Sequence, residues 1–89
     1  MPTISMFFGL IVRMYLLDTQ QHHLPHIHIE YQGQVAVISI PEGKVLAGEL
    51  PPGKLRLIQA WITIHEEELM ADWALAVKGE PLFRIDPLR

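Results

Sequence analysis

Pro51-Pro52-Gly53 divides the chain into two parts with different hydrophobic periods. A proline pair is tolerated ahead of a helix or in its first turn and excluded from its interior. From Lys54 to Lys78 neither proline nor glycine occurs, and Gly79 and Pro81 follow. The spacing predicts one helix of about 25 residues, roughly 37 Å long at 1.5 Å per residue, with Gly79 as its stop. Before the proline pair the side chains alternate with period two, the signature of strands with one buried face.

The stretch from Ile4 to Leu17 places Leu10, Val12, Met14 and Leu16 on one side and Ile11, Arg13 and Tyr15 on the other, and is expected to be a first strand. From Ile27 a second strand points Ile27, Ile29 and Tyr31 one way and His26, His28 and Glu30 the other. A hairpin loop at Gly33-Gln34 would set Tyr31 opposite Ala36, Ile29 opposite Ile38, Ile27 opposite Ile40 and His28 opposite Ser39. Pro41-Glu42-Gly43-Lys44 reads as a turn before a short strand from Val45 to Ala47, and Phe83-Arg84-Ile85 as a further edge strand. The predicted fold is α+β, one domain over residues 1–89. An antiparallel meander of about four strands is packed on one face by a single long C-terminal helix, with the histidines on the other face.

Ile58, Ile62, Leu69 and Trp73 form one stripe on the predicted helix, Leu57, Ile64 and Leu75 a second, and Trp61 lies between them. That arc is wider than one sheet contact requires. With 49% apolar residues in 89, it points to burial in a homo-oligomer. His65, Glu68 and Asp72 fall in the same arc, and Glu68 is spaced to orient His65 by an i to i+3 hydrogen bond. Trp61, His65, Glu68 and Trp73 are therefore the candidate partner or interface residues, with Trp61 and Trp73 equally readable as core anchors and His65 as a satisfied interior histidine.

A net charge of −3 with neutral histidines argues against a general grip on DNA or RNA backbone, although a small site for a few nucleotides remains compatible with it. No cysteine is present, so disulfides and thiolate metal sites do not arise. The apolar N-terminal stretch lacks a basic start and a cleavage pattern and is too short to span a bilayer, so a cytoplasmic location and no membrane partner are expected.

The chemistry concentrates in His22-His23-Leu24-Pro25-His26-Ile27-His28, which holds four of the five histidines. Imidazole titrates near neutral pH and, uncharged, binds metals. His26 and His28, two residues apart on a strand, share a face and reach toward one ion or one substrate atom. A divalent metal is thus a possible cofactor. A catalytic zinc needs a third protein ligand, which His22, Glu30 or His65 would have to supply. The helix reads His65-Glu66-Glu67-Glu68-Leu69 and lacks the second histidine of a His-Glu-x-x-His motif. Metal-free ribonuclease chemistry needs a base, an acid and a cation for the phosphate. His26 and His28 match the first two, Arg13 the third, and Tyr15 offers a stacking surface or a proton. Against these stands a structural reading in which histidines beside a proline turn plug the strand entrance with hydrogen bonds.

Pro2-Thr3-Ile4, Pro25-His26-Ile27-His28, Gly48 with Leu50-Pro51, Trp61 with His65, Glu68-Leu69, Trp73, and Ile85 with Pro87-Leu88 together resemble the bacterial domain of unknown function 4160 family over nearly the whole chain. Ile27 departs from the aromatic residue more usual there, which removes ring stacking at that point. The resemblance implies a small protein encoded beside another short protein, in an arrangement similar to toxin and antitoxin pairs. On that basis the expected partner is the neighbouring protein and the expected toxicity is directed at RNA, which together with His26, His28 and Arg13 makes RNA cleavage the expected activity.

Overall fold

The computed structural model describes residues 2–17 and 24–88. Five strands, β1 Thr3–Phe7, β2 Leu10–Arg13, β3 His26–Tyr31, β4 Gln34–Ser39 and β5 Val45–Gly48, form one antiparallel meander in chain order, followed by α1 Pro52–Ile64 and α2 Glu66–Ala76. The N-terminal stretch is a hairpin rather than a single strand. Its turn, Phe8-Gly9, has φ of 48° and 79°, and Gln32-Gly33 between β3 and β4 has 47° and 82°. Positive φ at both central residues defines the turn whose twist matches that of the flanking strands. Glycine takes the second position each time because it carries no Cβ penalty there.

The loop at Gln32-Gly33, one residue earlier than expected, pairs Tyr31 with Gln34, Ile29 with Ala36, Ile27 with Ile38, His28 with Val37 and His26 with Ser39. The register therefore differs from the expected one by two residues. Two is the period of a strand, so every side chain keeps its predicted face. Val12 pairs with Ile29, and Leu10, Val12, Ile27, Ile29 and Ile38 form the closed face, all with no exposed surface, under Ile58, Trp61, Ile62 and Leu69. Burial of each such aliphatic side chain contributes about 1.5–3 kcal/mol.

The long helix bends. His65, at φ −109° and ψ 26°, separates α1 from α2 while the hydrogen-bond ladder runs through it, His65 N–H to the Trp61 carbonyl and Leu69 N–H to the His65 carbonyl, both 2.9 Å. A straight rod of roughly 37 Å would overrun a body whose longest extent is 33 Å. Bending lets α1 bury Ile58, Trp61 and Ile62, and α2 bury Leu69, Asp72 and Ala76. The wide apolar arc is in large part these two differently directed faces. Ile64, 65% exposed, is the member that neither covers.

After α2 the chain returns along β1 without a strand ladder. Ile85 N–H meets the Ile4 carbonyl at 2.8 Å, the Trp61 indole N–H meets the Asp86 carbonyl at 2.8 Å, and Phe83 N–H meets Asp72 Oδ1 at 3.0 Å. The expected edge strand is thus a strap held at three points.

Candidate functional site

The open face of the sheet reads directly from the strand pairing. One row runs Met6, Ile11, Glu30, Val35, and the next runs Thr3, Arg13, His28, Val37, Ala47. Arg13 hydrogen-bonds diagonally to Glu30. That bond is the main cause holding the guanidinium in its charged form above the usual arginine pKa. An incoming phosphate therefore has to compete with Glu30 for Arg13. Met6 and Val35 are more than half exposed on this face.

At the end of the sheet four rings pack in sequence. Tyr15 and His28 meet edge to face with centroids 4.5 Å apart, His28 and His26 lie 5.4 Å apart, and His26 lies 5.1 Å from Trp73 of α2. Pro25 leads His26 into β3, and His26 Nδ1 donates to the Leu24 carbonyl at 2.7 Å. A carbonyl only accepts, so that bond places the proton on Nδ1. With Trp73 against it, His26 is 2% exposed. The two histidines do share a strand parity, but α2 wraps the sheet end and closes over the first of them. His28, half-buried beside Tyr15 with its Nδ1 buried, is the more exposed of the two imidazoles.

Among the described residues no group of three or more histidines, aspartates or glutamates is placed to hold a metal ion. Glu30, one proposed third ligand, is engaged by Arg13. His65, another, is bonded through Nδ1 to Glu68 Oε1 at 2.6 Å, in the i to i+3 geometry expected from the helix spacing. His22 and His23 lie outside the described residues.

Trp61 takes the core reading and not the interface one: it has no exposed surface and sits against Phe7, with centroids 5.3 Å apart. Trp73 is half-buried on His26, and Glu68 is exposed. Asp72 has a role that sequence reasoning missed. It is 2% exposed, and with Glu68, Ala71, Phe83, Arg84 and Ile85 it lines a cavity of about 210 Å³ between α2 and the C-terminal strap. Its signal in the sequence is a carboxylate inside an apolar helical arc, four residues after Glu68.

A family model described as Domain of unknown function (DUF4160) matches residues 9–74. The chain belongs to the DUF4160 family. The match runs from the turn before β2 into α2, so the matched span covers Arg13, Tyr15, His26, His28, Asp72 and Trp73. No curated protein and no solved structure matches the chain. No helix among the described residues is long and apolar enough to cross a membrane.

Proposed function

We propose that this DUF4160 chain is a partner-binding component of a toxin-antitoxin-type pair, and that it docks the small protein encoded beside it on the open sheet face around His28. The observation that carries this reading is the asymmetry of the sheet. One face is sealed by both helices, while the other presents Met6 and Val35, 55% and 51% exposed, in one row with Ile11 and next to the Arg13–Glu30 pair. Exposed apolar side chains on either side of the Arg13–Glu30 pair, with an imidazole in the adjoining row, make a surface of mixed polarity such as non-obligate interfaces use. The partner's identity as the neighbouring protein rests on the family resemblance.

The test is titration of the purified neighbouring protein against wild type, Met6→Lys and Val35→Lys by calorimetry. Both side chains are exposed, so both variants fold, and each weakens binding at least tenfold. Wild-type affinity in both variants overturns the reading. A second copy of the chain in place of the neighbour appears as a dimer in light scattering that the same variants dissociate.

A second reading, RNA cleavage, is favoured by the contact of Tyr15 with His28 on the face that also carries Arg13. His28 then takes the proton of the ribose hydroxyl as base, Tyr15 gives one to the leaving oxygen as acid, Arg13 contacts phosphate once released by Glu30, and buried His26 positions His28. Expression of the wild type without its neighbour reduces growth and cellular RNA, and His28→Ala abolishes both effects. Persistence of RNA loss in His28→Ala, or intact RNA with wild type, removes this reading.

A further inference from the structure

On the helix side of the molecule, away from the open sheet face, Asp72 presents an incomplete set of bonds. Its Oδ1 accepts the Phe83 amide at 3.0 Å, whereas Oδ2 is buried with no hydrogen-bond partner. A buried acceptor left unmatched is costly, the more so when it is charged. Desolvation is the main cause that raises this carboxyl's pKa, the Phe83 amide opposes it, and the charge of Glu68 adds to the rise. Glu68 stands one turn earlier on α2 and lines the same cavity, with one oxygen committed to His65. At the rim, Phe83 is 73% exposed.

We propose that the cavity between α2 and the C-terminal strap is a binding site for a primary alkylammonium group, the end of a lysine side chain on a protein partner. Three features select that chemistry. Two carboxylates face one small volume, so the ligand is a cation. Asp72 Oδ1 already accepts the Phe83 amide and Oδ2 has no partner, so the site offers one wholly unengaged oxygen, which suits the single-acceptor contacts of an ammonium better than the two-pronged fork of a guanidinium. An exposed aromatic ring at the rim adds a cation–π surface. The volume of about 210 Å³ exceeds that of several waters at roughly 30 Å³ each and accommodates a butyl chain with its terminal nitrogen.

Arg84 also lines the cavity, and among the described residues it makes no ion pair with Asp72 or Glu68. Reaching Oδ2 requires the outer wall to yield. That wall is Phe83, on a segment without helix or strand pairing. This inference stands independently of the sheet-face reading.

The test follows the amide resonances of Phe83, Arg84 and Ile85 in the full chain while N-acetyl-lysine methylamide, n-butylammonium and neutral 1-butanol are added separately. Both ammonium probes shift these resonances saturably and butanol does not. A tighter fit for the lysine derivative assigns the site to a protein side chain, and equal affinity assigns it to free amines. Asp72→Asn, which keeps the acceptor for Phe83, weakens ammonium binding at least tenfold, and Glu68→Gln, an exposed change that leaves folding intact, weakens it several-fold. Equal shifts with butanol, undiminished ammonium binding in Glu68→Gln, or no saturable shift in wild type overturns the proposal.

Discussion

His26→Ala separates a histidine that holds the fold together from one that meets a ligand. The substitution removes the Nδ1 bond to the Leu24 carbonyl at 2.7 Å, worth about 1 kcal/mol net. It also removes the packing on Trp73 at 5.1 Å and His28 at 5.4 Å, about 0.5–1.5 kcal/mol for each ring pair. With 2% exposure, solvent does not readily fill the space left behind. The summed loss is about 2–4 kcal/mol, a large fraction of the 5–15 kcal/mol typical of a folded domain. His28→Ala, at a half-buried position, forfeits its contacts with Tyr15 and His26, worth about 1–3 kcal/mol together. Urea denaturation at pH 7.5 of both variants, together with Trp73→Ala and the His26/Trp73 double variant, measures these terms. The double-mutant cycle should return a coupling of about 0.5–1.5 kcal/mol. A loss below about 1 kcal/mol in His26→Ala, or no coupling to Trp73, would refute a structural role for this ring.

Gly48→Ala places a Cβ 2.0 Å from the Val35 carbonyl oxygen and 3.0 Å from Ala36 Cα, at a φ of +71°. The backbone cannot yield without breaking the Ala36–Gly48 pairing. The variant should lose about 3 kcal/mol or more, or release β5, read as lost amide-exchange protection at Ala36 and Val37; unchanged protection and midpoint would contradict the contact. Asp72→Asn probes the buried carboxyl through pH. In the unfolded chain the acid ionises near 3.9 and in the folded chain only at higher pH, so across that interval the folded state holds more protons and wild-type stability falls as pH rises. The stability of Asp72→Asn relative to wild type should therefore be more favourable at pH 7 than at pH 3.5 in urea titrations, and parallel behaviour at the two pH values would show that Asp72 is not desolvated.

The period-two alternation of Ile27 to Ile40 was enough to assign the faces of β3 and β4, because an error of two residues in register leaves every side chain where it was. It was not enough to find the β1–β2 turn. Phe8 is an unusual residue at positive φ, and the alternation runs through Gly9 without a polar cluster to announce the reversal. The bend at His65 is silent for a similar reason. No proline or glycine marks it, and what accompanies it is a body shorter than a straight helix of that length. Side-by-side histidines follow from strand spacing, but the closure of His26 depends on Trp73, 47 positions later in the chain, arriving after that bend. Asp72 was visible as a polar residue in an apolar arc, whereas its bond to the Phe83 amide depends on the path of a strap that no periodicity describes.

Asp72 and Trp73 are consecutive residues of α2, one fastened to the strap and the other lying on His26. The Ala76 carbonyl, one turn further on, accepts the Leu17 amide at 2.9 Å and ties the same helix to the chain leaving β2. A small roll of this eleven-residue lever would displace the imidazole end of the sheet and the carboxylate hollow together. Thermodynamic reciprocity then requires that any occupant favouring one position of α2 at the hollow alters affinity at the imidazole end by the same factor as the converse event.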